Sequence, residues 1–169
     1  MSDEPAETKP FLEALFISPA RGLRMQRVSS ARALAGRGLE GDRYALGMGY
    51  YSGRYDCEIT LIEGEVLDPI SLEEGIPIRD GEHRRNLVTR GLALRSLEGK
   101  RLRLGDVILE YHRPRPPCDY LQRLTLPGMT KSLGRGAGIG MRVLVGGQLC
   151  EGMEIEIVPM PENRRPRLP

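Results

Sequence analysis

Tryptophan is absent from the 169 residues, and phenylalanine occurs only twice. A chain so poor in large aromatics lacks the stacking platforms that single-strand nucleic-acid binders use. Charge does not make up for it: 25 Lys and Arg against 23 Asp and Glu leave a formal net charge of +2. That balance is too small to argue by itself for a nucleic-acid or membrane partner. Three cysteines, odd in number and far apart, make no disulfide framework and fit a reducing compartment. No apolar run approaches the roughly 20 residues that span a bilayer. The N-terminal Met1-Ser2-Asp3-Glu4-Pro5 is acidic, where an export signal is basic and then apolar. These absences predict a cytoplasmic protein without a membrane segment. No flavin, haem or Cys-rich cluster motif is visible, so redox chemistry here would need an external electron donor.

What is present is mostly short, apolar and punctuated by glycine. The length is near that of one domain and long enough to close a sizeable core. Residues 1–10 read as a disordered acidic tail and 159–169 as a Pro/Arg-rich tail, leaving 11–158 as the domain. Strands are predicted at Leu12–Ile17, Glu58–Glu63, Arg85–Val88, Arg101–Leu104, Val107–His112, Met141–Val145 and Met153–Val158. Gly105-Asp106 and Gly146-Gly147 sit between apolar runs as tight turns. Short helices are predicted near Glu63–Leu67 and over Tyr120–Leu133, the second interrupted around Pro127-Gly128. Many short strands with few short helices predict a mostly β, barrel-like fold.

Three glycine- and arginine-rich segments could meet an anion. Gly36-Arg37-Gly38-Leu39-Glu40-Gly41 is a formal G-x-G-x-x-G, but no helical pattern follows it. A dinucleotide fingerprint needs that helix, so the segment reads as a turn placing Asp42 and Arg43, which can also simply pair with each other. In His83-Arg84-Arg85-Asn86-Leu87-Val88, strand alternation puts Arg84 and Asn86 on one face and Arg85 on the other. Arg84 offers a planar fork for phosphate or carboxylate, and Asn86 both donates and accepts. A solvated basic edge strand is the alternative, with His83 exposed and idle. Gly134-Arg135-Gly136-Ala137-Gly138-Ile139-Gly140-Met141-Arg142 is either a flexible loop or an anion cradle, and no Walker Lys follows it.

The most informative stretch is Arg113-Pro114-Arg115-Pro116-Pro117-Cys118-Asp119-Tyr120-Leu121. The prolines hold the chain extended, so Cys118 is presented from a stiff arm ahead of a helix-like run. Arg113 and Arg115 place positive charge beside it, and Asp119 opposes them. A thiolate is both a nucleophile and a soft-metal ligand. The alternative is a small apolar side chain packed at a strand-to-helix corner.

Gly38 to Tyr44, Arg84 to Gly91, the Pro-Pro-Cys118 segment and Val143 to Gly147 together resemble MOSC domains, in the same order along the chain. The resemblance implies a barrel-like fold that binds the molybdenum cofactor, a pterin dithiolene carrying a phosphate. It implies that Cys118 ligates molybdenum or carries sulfur as a persulfide, and that Arg84 and Asn86 hold pterin or phosphate. Thr89, Arg135 and Arg142 become further cofactor contacts, with Asp42 and Arg43 shaping the pocket rim. One departure stands out: Arg115 occupies the place where relatives often carry a first cysteine. Cys57 and Cys150 match no family motif and read as structural. The expected function is a cofactor-binding oxidoreductase that reduces N-hydroxylated small molecules with an external electron donor. One alternative is a non-catalytic sulfur or cofactor carrier loaded at Cys118 by a sulfur-donor protein. The other is a small basic β-barrel that binds nucleic acid.

Overall fold

The structure is a computed structural model that describes residues 8–50, 52 and 57–161. Most of the two predicted tails, residues 1–7 and 162–169, lies outside the described residues. Its larger sheet has eight strands, β1 (Phe11–Ile17), β2 (Gln26–Val28), β5 (Ile59–Glu63), β6 (Leu87–Arg90), β7 (Lys100–Leu104), β8 (Val107–Pro114), β9 (Ile139–Val145) and β11 (Glu156–Pro159). They run side by side in the order β11-β7-β8-β9-β5-β6-β1-β2. A smaller sheet holds β3 (Ser30–Leu34) between β4 (Gly38–Leu39) and β10 (Gly147–Cys150).

The large sheet curls onto itself. Leu12 N donates to Met153 O at 2.9 Å and Ile155 N to Pro10 O at 2.8 Å. These bonds tie β1 to the segment that leads into β11, giving the barrel-like form expected of the sequence. Strand alternation then separates two cores. Leu15, Leu61 and Leu87 point into the barrel with Leu102, Leu109 and Val143. Their neighbours Phe16, Ile62 and Val88 point outward and are covered by Leu67, Ile70 and Met129.

Those covering residues lie on α1 (Gly64–Leu72) and α3 (Met129–Leu133), with α2 (Asp119–Leu124) beside them. β5 and β6 are the one parallel pair among the described residues, and α1 lies within the crossover between them. The sequence predicts a short helix near Glu63–Leu67; it runs on through Pro69 to Leu72. Ile70 is buried there, and Asp68 pairs with Arg79 and Arg90, so tertiary contacts outweigh the helix-breaking proline. The predicted break between α2 and α3 is present, with Gly128 left-handed at φ 87. No helix among the described residues is long and apolar enough to cross a membrane.

Candidate functional site

Arg84 is the only non-glycine described residue with positive φ, at 61°. Such a conformation costs an L-residue roughly 1–2 kcal/mol, and it breaks the strand that the sequence predicts over Arg85–Val88. Extended pairing starts only at Leu87. The kink also defeats the predicted alternation, because Arg84 and Arg85 both line one cavity. Asn86 turns to the framework instead. Its Oδ1 accepts from Thr60 N and Thr60 Oγ1, both at 3.1 Å, and its Nδ2 donates to Phe16 O at 3.2 Å. Asn86 thus clamps β1 to β5.

The Pro-rich arm reaches the same cavity from β8. Arg115 N donates to Gly138 O at 2.9 Å, anchoring the arm against the glycine-rich segment. Gly138 is itself pressed against β5, where only a glycine fits: at φ +104°, a Cβ would stand 2.1 Å from Leu61 O. Beyond Pro116-Pro117, Cys118 is extended at φ −133°, ψ 166° and caps α2. Cys118 is half-buried, lines the cavity, and also packs on the outer apolar core. The packing and the chemical readings of this residue therefore coexist.

A third segment closes the site. Asp42 is fully buried; its Oδ1 accepts from Ser18 N and Arg43 Nη1, each at 3.0 Å. Arg43 Nη2 donates to Arg84 O at 3.3 Å, and the Arg43 guanidinium lies 4.4 Å from the Tyr44 ring centroid. Tyr50 and Tyr120 stack with centroids 3.9 Å apart, and both line the cavity.

Four arginines therefore line the cavity with Cys118: Arg43, Arg84, Arg85 and Arg115 are exposed by only 4–7%. Asp42 neutralises Arg43. Arg85 donates from Nε to Ala137 O at 2.7 Å and from Nη2 to Arg115 O at 3.2 Å, and Arg84 donates to Leu23 O. Carbonyls satisfy these donors without cancelling their charge. Burial first, and the Arg115 charge second, push Arg85 down to about 10. Burial first, then Arg43, lowers Arg84. Positive charge is therefore concentrated on this cavity.

The cavity between these groups measures about 30 Å³, room for roughly two waters. A fused-ring ligand would have to extend into a cavity of about 260 Å³ that shares Arg84, or one of about 460 Å³ that shares Arg115. A soft thiol beside several guanidiniums fits the metal and the anionic end of a pterin cofactor, with its rings in a flanking cavity. Among the described residues no group of three or more His, Cys, Asp or Glu could hold a metal ion.

Of the residues singled out in the sequence, Cys118, Arg84 and Arg43 meet in this cavity, with Asp42 directly behind. Arg135 lines the neighbouring 460 Å³ cavity. Thr89 is buried in β6 with no hydrogen-bond partner for its Oγ1 among the described residues. Arg142 sits on β9 with Nη2 3.2 Å from His112 Nε2. His83 is not exposed as expected; it is fully buried, edge-on to Phe16 at 5.0 Å, with Nδ1 accepting from Arg85 N. The turn before Arg84 folds it inward, and burial, then Arg85 and Arg84, push it down to about 3. Sequence reasoning also missed Tyr44 and Cys57. Cys57 hydrogen-bonds the Tyr44 side chain, and Arg115 Nη2 donates to Tyr44 Oη at 3.4 Å. Burial raises the Cys57 thiol above its usual 9.0. No local pattern marks it.

A model of the MOSC domain matches residues 49–156, more than half of the sequence. YuaD from Bacillus subtilis is similar in structure with a TM-score of 0.71 and 18% identity, over 91% of this chain and 98% of that one. YiiM from Geobacillus stearothermophilus gives 0.67 and 18%, over 88% and 75% of the two chains. YiiM from Escherichia coli gives 0.60 and 19%, over 89% and 71%. No curated protein matches the sequence at a significant level. At these identities the structural neighbours speak for the fold alone, and the family model speaks for membership: this chain belongs to the MOSC domain family.

Proposed function

We propose that this chain is a molybdenum-cofactor-handling protein with Cys118 as its soft ligand. One observation carries the reading: the family's key cysteine position falls in a cavity walled by Arg43, Arg84, Arg85 and Arg115. When bound, the cofactor supplies a redox-active metal suited to reducing an N-hydroxylated compound, with electrons from an outside donor. The chain's own residues bind and orient. Cys118 offers a thiolate, Arg84 and Arg85 hold anionic groups, and the stacked Tyr50 and Tyr120 rings form one wall of the cavity. The burial of all four arginines argues against a groove that tracks nucleic acid.

Molybdenum and pterin analysis of protein purified from a cofactor-producing host, beside Cys118→Ala, tests this. Near-stoichiometric metal and pterin, lost in the variant, is the expected result. A well-folded wild type free of molybdenum would overturn it. The small central cavity, about 30 Å³, favours a second reading in which Cys118 carries sulfur as a persulfide.

A further inference from the structure

We propose that Cys118 takes its sulfur from thiosulfate, with the arginine-lined cavity as the binding site for that dianion. This rests on the sulfur-carrier reading and names the donor for it. Three features of one cavity coincide. Its lining brings Arg43, Arg84, Arg85 and Arg115 to one cavity beside Cys118. The hydrogen bonds of Arg84 and Arg85 end on main-chain carbonyls, so their buried charge calls for a bound anion. Guanidinium forks pair well with the oxygens of a sulfur oxyanion. The third feature is the nucleophile itself, since Cys118 lines the same wall and lies within electrostatic reach of Arg85.

The chemistry needs no external oxidant. The Cys118 thiol gives its proton to solvent, and the thiolate attacks the outer sulfur of thiosulfate. A new S–S bond forms on Cys118 while the S–S bond of thiosulfate breaks, its electron pair leaving with sulfite. Charge balances: a thiolate and a dianion become a persulfide anion and a sulfite dianion. The guanidiniums that hold the thiosulfate oxygens also face the charge that gathers on departing sulfite, where fixed donors are most effective.

Fully reduced full-length protein is treated with sodium thiosulfate, and in parallel with sodium polysulfide, then followed by intact mass and sulfite release. The expected result is one added sulfur on wild type, an equal amount of sulfite, and no addition to Cys118→Ser. Arg84→Gln removes a charge-assisted contact and is expected to slow the thiosulfate reaction about tenfold. Inorganic sulfate is expected to slow it on wild type by competing for the cavity. If polysulfide loads Cys118 and thiosulfate does not, the proposal falls while the carrier reading stands. If neither loads it, both fall. Absence of sulfate competition would remove the cavity as the recognition site, however the Arg84 variant folds.

Discussion

Acidification from about pH 6.5 to about pH 5 would charge His83 in the unfolded chain but not in the fold. The ring is completely buried against Phe16, and its Nδ1 accepts the Arg85 N–H at 3.0 Å, which leaves the proton on Nε2. Nε2 has no hydrogen-bond partner among the described residues, so a second proton would add a buried charge. Burial, then Arg85 and Arg84, depress the folded value to about 3 from 6.5. Below pH 6.5 the unfolded state therefore binds the extra proton, and stability falls with pH until the folded value is reached. Over this interval one such group costs about 1.5 kcal/mol, or about 3–6 °C in Tm for a chain of this size. Urea titrations at several pH values measure it, with His83→Asn as the control. Asparagine can keep an acceptor for Arg85 N but cannot titrate, so its stability should fall less steeply over the same interval. Equal slopes for the two proteins would refute the argument, as would an NMR titration of His83 near 6.5.

Gly138→Ala should cost about 3 kcal/mol or more, because its Cβ would meet Leu61 O at 2.1 Å on top of φ +104°. Gly128→Ala, left-handed at φ +87° but with open space around it, should cost only about 1 kcal/mol in the same denaturation assay. Asn86→Ala should lose about 2–4 kcal/mol, since it removes the partner of Thr60 N, Thr60 Oγ1 and Phe16 O between buried strands. Timed alkylation with iodoacetamide should label exposed Cys150 well before Cys57, whose half-buried thiol lies above 9.0. Raising the pH should narrow the gap between them, and early labelling of Cys57 would count against its placement beside Tyr44.

Much of the strand skeleton was legible because it rests on local pattern. Val107–His112 and Met141–Val145 carry apolar runs bounded by glycine turns, and both lie within observed strands. Four short strands gave no such signal. Gln26–Val28 and Gly38–Leu39 are three and two residues long, too brief for any period to register. Ser30–Leu34 and Gly147–Cys150 owe their pairing to each other, across more than a hundred residues of sequence. The Gly146-Gly147 turn read from the sequence is real only in part, since Gly147 opens the last of those strands.

At the site, the sequence determined which chemistry could be present: one cysteine on a proline-stiffened arm, and arginines in glycine-rich company. Those are properties of residue type and short-range backbone restriction, which neighbours in sequence suffice to impose. Tertiary structure decided which of them meet. A positive φ at Arg84 turned two consecutive arginines into one cavity and sent Asn86 to the framework. Strand register set Arg142 opposite Glu110, within reach of His112 at the neighbouring bulge, and the same folding drew Arg115, Tyr44 and Cys57 together. Burial made that cluster chemical, because charge removed from water demands an anionic partner, and burial is a property only the assembled fold possesses.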